Sequence, residues 1–392
     1  MLSELNDLLK KKDFKTFVKK ISDIGQEKML NPFIMQSLYD FCRENIDRLE
    51  GYYKAKVLMY LGNIAFALNR LDEADEYYEK SLMIFFDLAK ENEKHIIDVV
   101  SVLINKGNLS FTLRKYSEAE KHYVNALDLL RTLNNNEEDL AIVLHNLGIL
   151  FITTKRFKDA KKVLKEAIEI RTKLAEKDKK YLEDLVDSLN QYGILLKAEK
   201  DFDEAERIFQ KILAIVDEPG ILLNIATVKL EKGEFEDAEV IFKKLMKDNL
   251  PLHLRVKTFI AYAYAKEKTG ETVEAGKMYL TAASISYILM RQHNLSNLSF
   301  VAWLEKAKEY GDKNTKEIAK AMMRGIERLF YKVEPDTEDL DGSIPASKII
   351  KTALTERKLE DFSPRDDVEL AALFIARDLV RLYKAKSAGN EV

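Results

Sequence analysis

Five histidines, one cysteine and many carboxylates are the groups of this 392-residue chain that could do chemistry, and their spacing decides whether they do. The histidines stand at 95, 122, 145, 253 and 293, and no two are four residues apart, the spacing that sets both imidazoles on one helix face around zinc. Cys42 is alone, which excludes a disulfide and a cysteine-based metal centre. Gly270-Glu-Thr-Val-Glu-Ala-Gly276-Lys277-Met278 comes near a phosphate-binding loop, in which backbone amides cradle phosphates and a Ser or Thr ligates magnesium. It has one residue too many between its glycines, and Met278 cannot ligate a metal. Nothing has the order of a nucleophile elbow or a Ser–His–acid triad. Pairs such as Asp72 and Glu76 are what helix surfaces present to water when 33% of the residues are charged. The reading is a protein that is not an enzyme and holds no metal or cofactor.

Composition says what kind of elements would carry these groups. Only 14 residues are Gly and 6 are Pro, too few for the many tight turns of a sandwich, a barrel or a doubly wound sheet. Lys, Glu, Leu and Ala dominate instead, which favours long amphipathic helices. The net charge of -3 excludes a polycation that coats nucleic acid. Charge is nevertheless uneven. Residues 155–180 hold eleven Lys/Arg against five Asp/Glu, and residues 71–94 hold eight acidic against three basic side chains. Both stretches read as solvated outer helices; the alternatives are a dock for an acidic partner and, less readily, for nucleic acid, since no aromatic interleaving accompanies the Lys run. The start, Met1-Leu-Ser-Glu-Leu-Asn-Asp, lacks the apolar core of a signal peptide. Apolar runs such as Leu82-Met-Ile-Phe-Phe86 are far shorter than the ~18 residues of a membrane span. The expectation is a cytoplasmic protein, in which the Asn-x-Ser triplets at Asn108, Asn294 and Asn297 are chance matches.

One pattern recurs six times: a large apolar residue, Gly or Ala four positions on, Ala twelve beyond that, then an aromatic or Leu, then a small or apolar residue. The copies contain Leu58, Gly62, Ala74, Tyr78 and Ser81; Leu103, Gly107, Ala119, Tyr123 and Ala126; and Leu144, Gly148, Ala160, Leu164 and Ala167. They continue with Leu189, Gly193, Ala205 and Phe209; Leu222, Ala226, Ala238 and Phe242; and Phe259, Ala263, Ala275 and Tyr279. Offsets of three, four and seven place each group on one stripe of a helix. Small residues let two helices approach, and the aromatic fills the wedge between them. Short turns such as Glu231-Lys-Gly-Glu234 and Lys268-Thr-Gly-Glu271 separate the two stripes. Each unit is therefore an antiparallel helix pair whose apolar face only its neighbours can cover.

At these residues the chain resembles the tetratricopeptide-repeat family. The resemblance spans residues 51–290 and implies an all-α, right-handed superhelical array of antiparallel helix pairs with helical caps. Lys106, Lys229 and Lys266 depart from the family pattern by replacing apolar residues. Counted from Gly62, successive copies begin 45, 41, 45, 33 and 37 residues on. The early repeats thus resemble the long form of kinesin light chains. In such a family the first helix of each repeat lines a concave groove. Carried over by position, that groove takes Met59, Asn63 and Phe66 from repeat one, and Ile104, Asn105, Asn108 and Phe111 from repeat two. Repeat three supplies His145, Asn146 and Ile149, repeat four Asn190, Gln191, Ile194 and Lys197, and repeat five Asn224. Met59, Ile142 and Asn146 stand where relatives that bind a chaperone's terminal carboxylate have cations, so a carboxylate clamp is not expected. An apolar surface with an Asn/Gln row remains, suited to an extended peptide or an amphipathic helix of another protein, because carboxamides bond both backbone N–H and C=O.

The ends lack the pattern. Residues 1–50 read as a helical cap, 291–332 as a degenerate helix pair, 333–344 as an acidic linker and 345–392 as C-terminal helices. Val368, Ala371, Ala372, Ile375, Leu379 and Leu382 form a continuous stripe on the last helix, expected to run from Pro364 with Ser363 as its cap. Extended, the linker would reach roughly 30 Å. The last helix is then either a cap on the preceding helices or a self-ligand lying in the groove. On the first reading the protein is a protein-protein interaction scaffold. On the second it is a peptide- or ligand-responsive regulator.

Overall fold

The computed structural model of the chain describes residues 1–28, 31–133, 136–292, 299–359 and 361–387. His293, Asn294 and Asn297 lie outside the described residues. Among the described residues the regular elements are nineteen α-helices with short 3-10 turns, and none is a strand. They gather in two compact units, which divide after Lys200. No described helix is long and apolar enough to cross a membrane.

The first unit begins with α1 (Leu2–Lys10), α2 (Phe14–Lys28) and α3 (Pro32–Asn45). Three helix pairs follow: α4 (Gly51–Ala67) with α5 (Leu71–Glu91), α6 (Ile96–Thr112) with α7 (Tyr116–Thr132), and α8 (Glu137–Thr153) with α9 (Phe157–Lys177). The unit closes with α10 (Leu182–Ala198). The recurrent glycines sit where paired helices touch. A Cβ at Gly62 would lie 2.5 Å from the Tyr78 ring, and one at Gly107 would lie 2.4 Å from the Tyr123 ring. Ser81 Oγ donates to the Ala55 carbonyl at 2.8 Å, which fixes the antiparallel register of the first pair.

First helices end in one way. At the ends of α4, α6 and α8 the residues in the left-handed region are Asn69, Arg114 and Lys155, with φ of 59°, 59° and 60°. The next amide in each case reaches five residues back, as from Arg70 to the Ala65 carbonyl at 2.8 Å and from Arg156 to the Phe151 carbonyl at 2.7 Å. This Schellman geometry satisfies the last carbonyls with main chain alone. The 45-residue spacings arise at the other ends of the pairs. Helices α5 and α9 run 21 residues each. Each leads into a 3-10 turn where Asn92 or Asp178 accepts from the amide two residues on, at 3.1 and 3.0 Å.

The second unit contains α11 (Phe202–Leu213), α12 (Pro219–Lys232), α13 (Phe235–Lys247), α14 (Leu252–Lys268) and α15 (Thr272–Gln292). It continues with α16 (Val301–Tyr310), α17 (Lys313–Phe330), α18 (Pro345–Thr355) and α19 (Asp367–Ser387). Here the second helices α11 and α13 have only 12 and 13 residues, hence the shorter spacings. Gly233 and Gly270 supply the left-handed turns, with φ of 81° and 82°.

Helix α19 packs against α15, α17 and α18, and its stripe residues Ala371, Ile375 and Leu379 are fully buried there. Arg291 grips Asp378 through two bonds of 2.6 Å, and Tyr287 donates to the same carboxylate at 3.1 Å. Two expectations need correction. The helix starts at Asp367, not Pro364, and its cap is Asp366 rather than Ser363. Asp366 accepts from the Glu369 amide at 2.8 Å, while Glu369 reaches back to the Arg365 amide at 2.9 Å. Those two bonds fix the first turn at Asp366, three residues beyond Ser363. Nor is the acidic segment after α17 a free extended tether. It folds back along α17, with Glu334 on Arg328 at 2.6 Å and Asp339 on Lys320 at 2.7 Å, and with Leu340 buried.

Candidate functional site

The residues expected in the groove lie on the first helices of the pairs, but they are not equivalent. Met59 and Ile104 are core residues, 7% and 8% exposed. On α4, α6, α8 and α10 the half-buried positions are Asn63, Phe66, Asn105, Asn108, Phe111, His145, Asn146, Ile149, Asn190, Gln191, Ile194 and Lys197. Asn224 is half-buried on α12, in the second unit.

The structure brings four of the asparagines together in pairs. Asn63 Oδ1 accepts from the Tyr78 hydroxyl at 2.9 Å and from Asn105 Nδ2 at 3.0 Å. One repeat later, Asn108 Oδ1 accepts from the Tyr123 hydroxyl at 2.6 Å and from Asn146 Nδ2 at 3.2 Å. Each carboxamide therefore ties its own second helix to the first helix of the next pair. With both lone pairs of Asn63 and Asn108 Oδ1 engaged, the capacity left to these side chains is the amino groups of Asn63 and Asn108, and the carbonyl and one N–H each of Asn105 and Asn146. Such a row offers donors and acceptors alternately, as an extended main chain does.

His145 has a partner that the sequence reading missed. Arg171 of α9, 5% exposed, donates through Nη1 to the Asp184 carbonyl at 2.6 Å and to Ser188 Oγ at 2.7 Å. The same Nη1 stands 3.4 Å from His145 Nδ1. Ser188 Oγ is nearer to Nδ1, at 3.1 Å; with both Nη1 hydrogens on the Asp184 carbonyl and Ser188 Oγ, the hydroxyl donates to Nδ1 and the imidazole carries its proton on Nε2. Burial, and then the Arg171 charge, push the His145 pKa down to about 4. The signal was present in α9, where Ala160, Leu164, Ala167, Arg171 and Leu174 form one buried stripe. An arginine in the middle of an apolar stripe announces a buried polar partner.

The three lysines that break the repeat pattern have a shared explanation. Lys106 reaches from α6 to Asp75 and Glu79 of α5, at 2.9 and 2.6 Å. Lys229 of α12 meets Glu206 of α11 at 3.3 Å, and Glu234 and Asp237 of its own pair at 2.8 and 3.1 Å. Lys266 of α14 meets Glu239 of α13 at 2.9 Å and Glu271 at 2.7 Å. Hydrogen bonds from Lys243, Lys266 and Tyr262 hold the Glu239 carboxyl down at about 2. Each lysine lays its stem on apolar surface and sends its charge to the preceding repeat.

The basic face of α9 is partly neutralised where it stands: Lys173 pairs with Glu169 at 2.9 Å and Lys161 with Glu199 at 3.0 Å. Near the starts of α4 and α6 a cavity of about 550 Å³ is lined by Tyr52, Tyr53, Lys94, His95, Ile97 and Asp98. Its buried Asp98 is shared by Lys56 Nζ at 2.7 Å and His95 Nδ1 at 3.2 Å. The near-match to a phosphate loop is the turn before α15, and Lys277 there pairs with Glu274 at 3.0 Å. Among the described residues no group of three or more His, Cys, Asp or Glu is placed to hold a metal ion.

Compared with protein-family models, residues 55–87 and 98–173 match tetratricopeptide-repeat models. No curated protein matches the sequence. Among solved structures the chain is similar to the apo form of RapI, at 17% identity and a TM-score of 0.53, covering 71% of this chain and 99% of that one. A tetratricopeptide-repeat protein from Parabacteroides merdae is 16% identical over 76% of this chain and 98% of its own, with a TM-score of 0.49. BtubC from P. vanneervenii is 24% identical over 55% of this chain and 86% of its own, with a TM-score of 0.47.

Proposed function

Because the chain is a tetratricopeptide-repeat protein, we propose that it is a protein-interaction scaffold whose first unit binds a peptide or an amphipathic helix along α4, α6, α8 and α10. The family is in general an interaction module rather than a catalytic one. The observation that carries the reading is the tyrosine-anchored carboxamide row, Asn63–Asn105 and Asn108–Asn146. It is held in fixed orientation beside half-buried Phe66, Phe111, Ile149 and Ile194. Aromatic and aliphatic side chains supply the contact area, and the carboxamides supply bonds to a partner's main chain. Polar groups already oriented by the fold lose little freedom on binding, which favours recognition over mere stickiness.

Selection from a displayed peptide library against the full chain, followed by titration of the selected peptides, tests this. Phe66→Ala combined with Phe111→Ala should weaken them by at least tenfold, since buried aromatic anchors commonly carry about 2 kcal/mol each. The circular-dichroism spectrum should not change. Peptides that bind the double variant as well as the parent chain place the site elsewhere.

A further inference from the structure

The acidic segment after α17 lies along a row of cations, and the two are poorly matched. Lys320, Arg324 and Arg328 recur every four residues on α17 and so share one face. Glu334 Oε1 meets Arg328 Nη2 at 2.6 Å, and Asp339 Oδ2 meets Lys320 Nζ at 2.7 Å. Between these contacts the fit fails. Arg324 pairs only along its own helix, with Glu327 at 3.1 Å. Among the described residues the buried Nε–H groups of Arg324 and Arg328 have no acceptor, and the Arg328 guanidinium lies over the Tyr383 ring, 5.3 Å from its centroid. Glu334 is 72% exposed and Asp339 50% exposed, so the carboxylates that cover the row are largely in water. Exposed pairs of this kind contribute little, and salt screens them. Beyond them the chain is pinned: Leu340 is buried, its carbonyl accepts from Lys351 Nζ at 2.7 Å, and Asp341 accepts from the Ser343 amide at 2.8 Å.

From this mismatch we propose that the α17 cation row is a second docking surface, independent of the groove, for an acidic peptide segment of another protein. In this structure it is occupied by the chain's own residues 333–339. The chemistry of the occupant is read from what sits there: an extended stretch bearing carboxylates. An incoming segment with one more carboxylate in register would meet Arg324, which in this structure pairs with Glu327 of its own helix. Bidentate carboxylate–guanidinium pairing, the strong form of this contact, would then replace single-point pairing. Residues 340–343 act as the hinge, and α18 and α19 stay in place.

The test uses the full chain with Glu334→Lys and Asp339→Lys together, and an octaglutamate peptide as probe. The variant should bind the peptide at least tenfold more tightly than the parent chain. Amides of 334–339 should exchange faster while those of α17, α18 and α19 keep their protection. Adding Arg324→Gln and Arg328→Gln should abolish the gain. If the variant binds octaglutamate no better than the parent, or if it retains a single-stranded oligonucleotide instead, the proposal is wrong. Should the charge reversals unfold the unit, the parent chain gives the answer. Raising the salt to about 1 M, where the screening length is about 3 Å, should accelerate exchange in 334–339 and leave α17 unchanged. Exchange in that segment that ignores salt overturns the proposal.

Discussion

His145 shows how one side chain on the candidate groove is tuned from behind. Its ring is neutral because burial and the Arg171 charge hold its pKa near 4, against an ordinary value of 6.5. Above pH 6.5 the folded and unfolded chains agree, both carrying a neutral imidazole. As the pH falls toward 4 the unfolded chain takes up a proton that the folded one refuses, so stability is lost through that window. The loss is of order 3 kcal/mol if the whole shift applies. His145→Gln keeps an acceptor for the Ser188 hydroxyl and removes the titration. Denaturant unfolding at pH 6.5 and pH 5 should therefore show a smaller drop for the variant than for the parent chain. Equal drops would mean that the imidazole titrates freely in the folded state.

At the scale of the element, the lysines between repeats make an asymmetric prediction. Lys106 is 7% exposed, whereas its partners Asp75 and Glu79 are more than half exposed on α5. Removing the carboxylates leaves a nearly buried ammonium uncompensated; removing the lysine leaves two carboxylates in water. Asp75→Asn with Glu79→Gln should thus cost about 1–2 kcal/mol. Lys106→Met, which keeps the stem, should be near neutral in the same thermal melts. If both changes prove neutral, the lysine contributes packing alone. These contacts also mark how far the sequence could be read. The helix pairs were legible because Gly62, Gly107 and Gly148 sit at fixed distances from Tyr78, Tyr123 and Leu164, and steric fit leaves few substitutes. The turns were half legible. Gly233 and Gly270 announce a left-handed residue, but Asn69, Arg114 and Lys155 adopt the same backbone with no such sign. The placement of Arg171, the segment along α17 and the pairing of the asparagines depend on which charges and amides meet across helices, which no local spacing encodes. At the candidate site, positions carried over from the family put Met59 and Ile104 beside Asn63 and Asn105, though the first two are core.

For the whole molecule, stability in stacked repeats is built from local units and their nearest neighbours, so two compact units need not unfold as one. The chain has a single tryptophan, Trp303, on α16, packed against the core formed by α15 to α19. Its fluorescence reports the second unit, whereas circular dichroism averages every helix. In a urea titration the two signals should give midpoints that differ, with the dichroism curve broader. Superimposed curves would make the array one cooperative body.

The lysine contacts carry one more meaning. Lys106, Lys229 and Lys266 each address carboxylates on the second helix of the repeat before their own: Asp75 and Glu79, Glu206, and Glu239. Asp75, Glu206 and Glu239 each directly follow the recurrent Ala of their helix, a place that Glu120 fills on α7 and that Lys161 and Gly276 fill on α9 and α15. A unit with such a lysine could therefore follow α5, α7, α11 or α13 and still find a carboxylate, whereas behind α9 or α15 its charge would be stranded at the new junction. Arrays of interchangeable modules can grow or shrink by recombination at little cost. This one tolerates some exchanges and forbids others, and that restriction is part of what the sequence specifies.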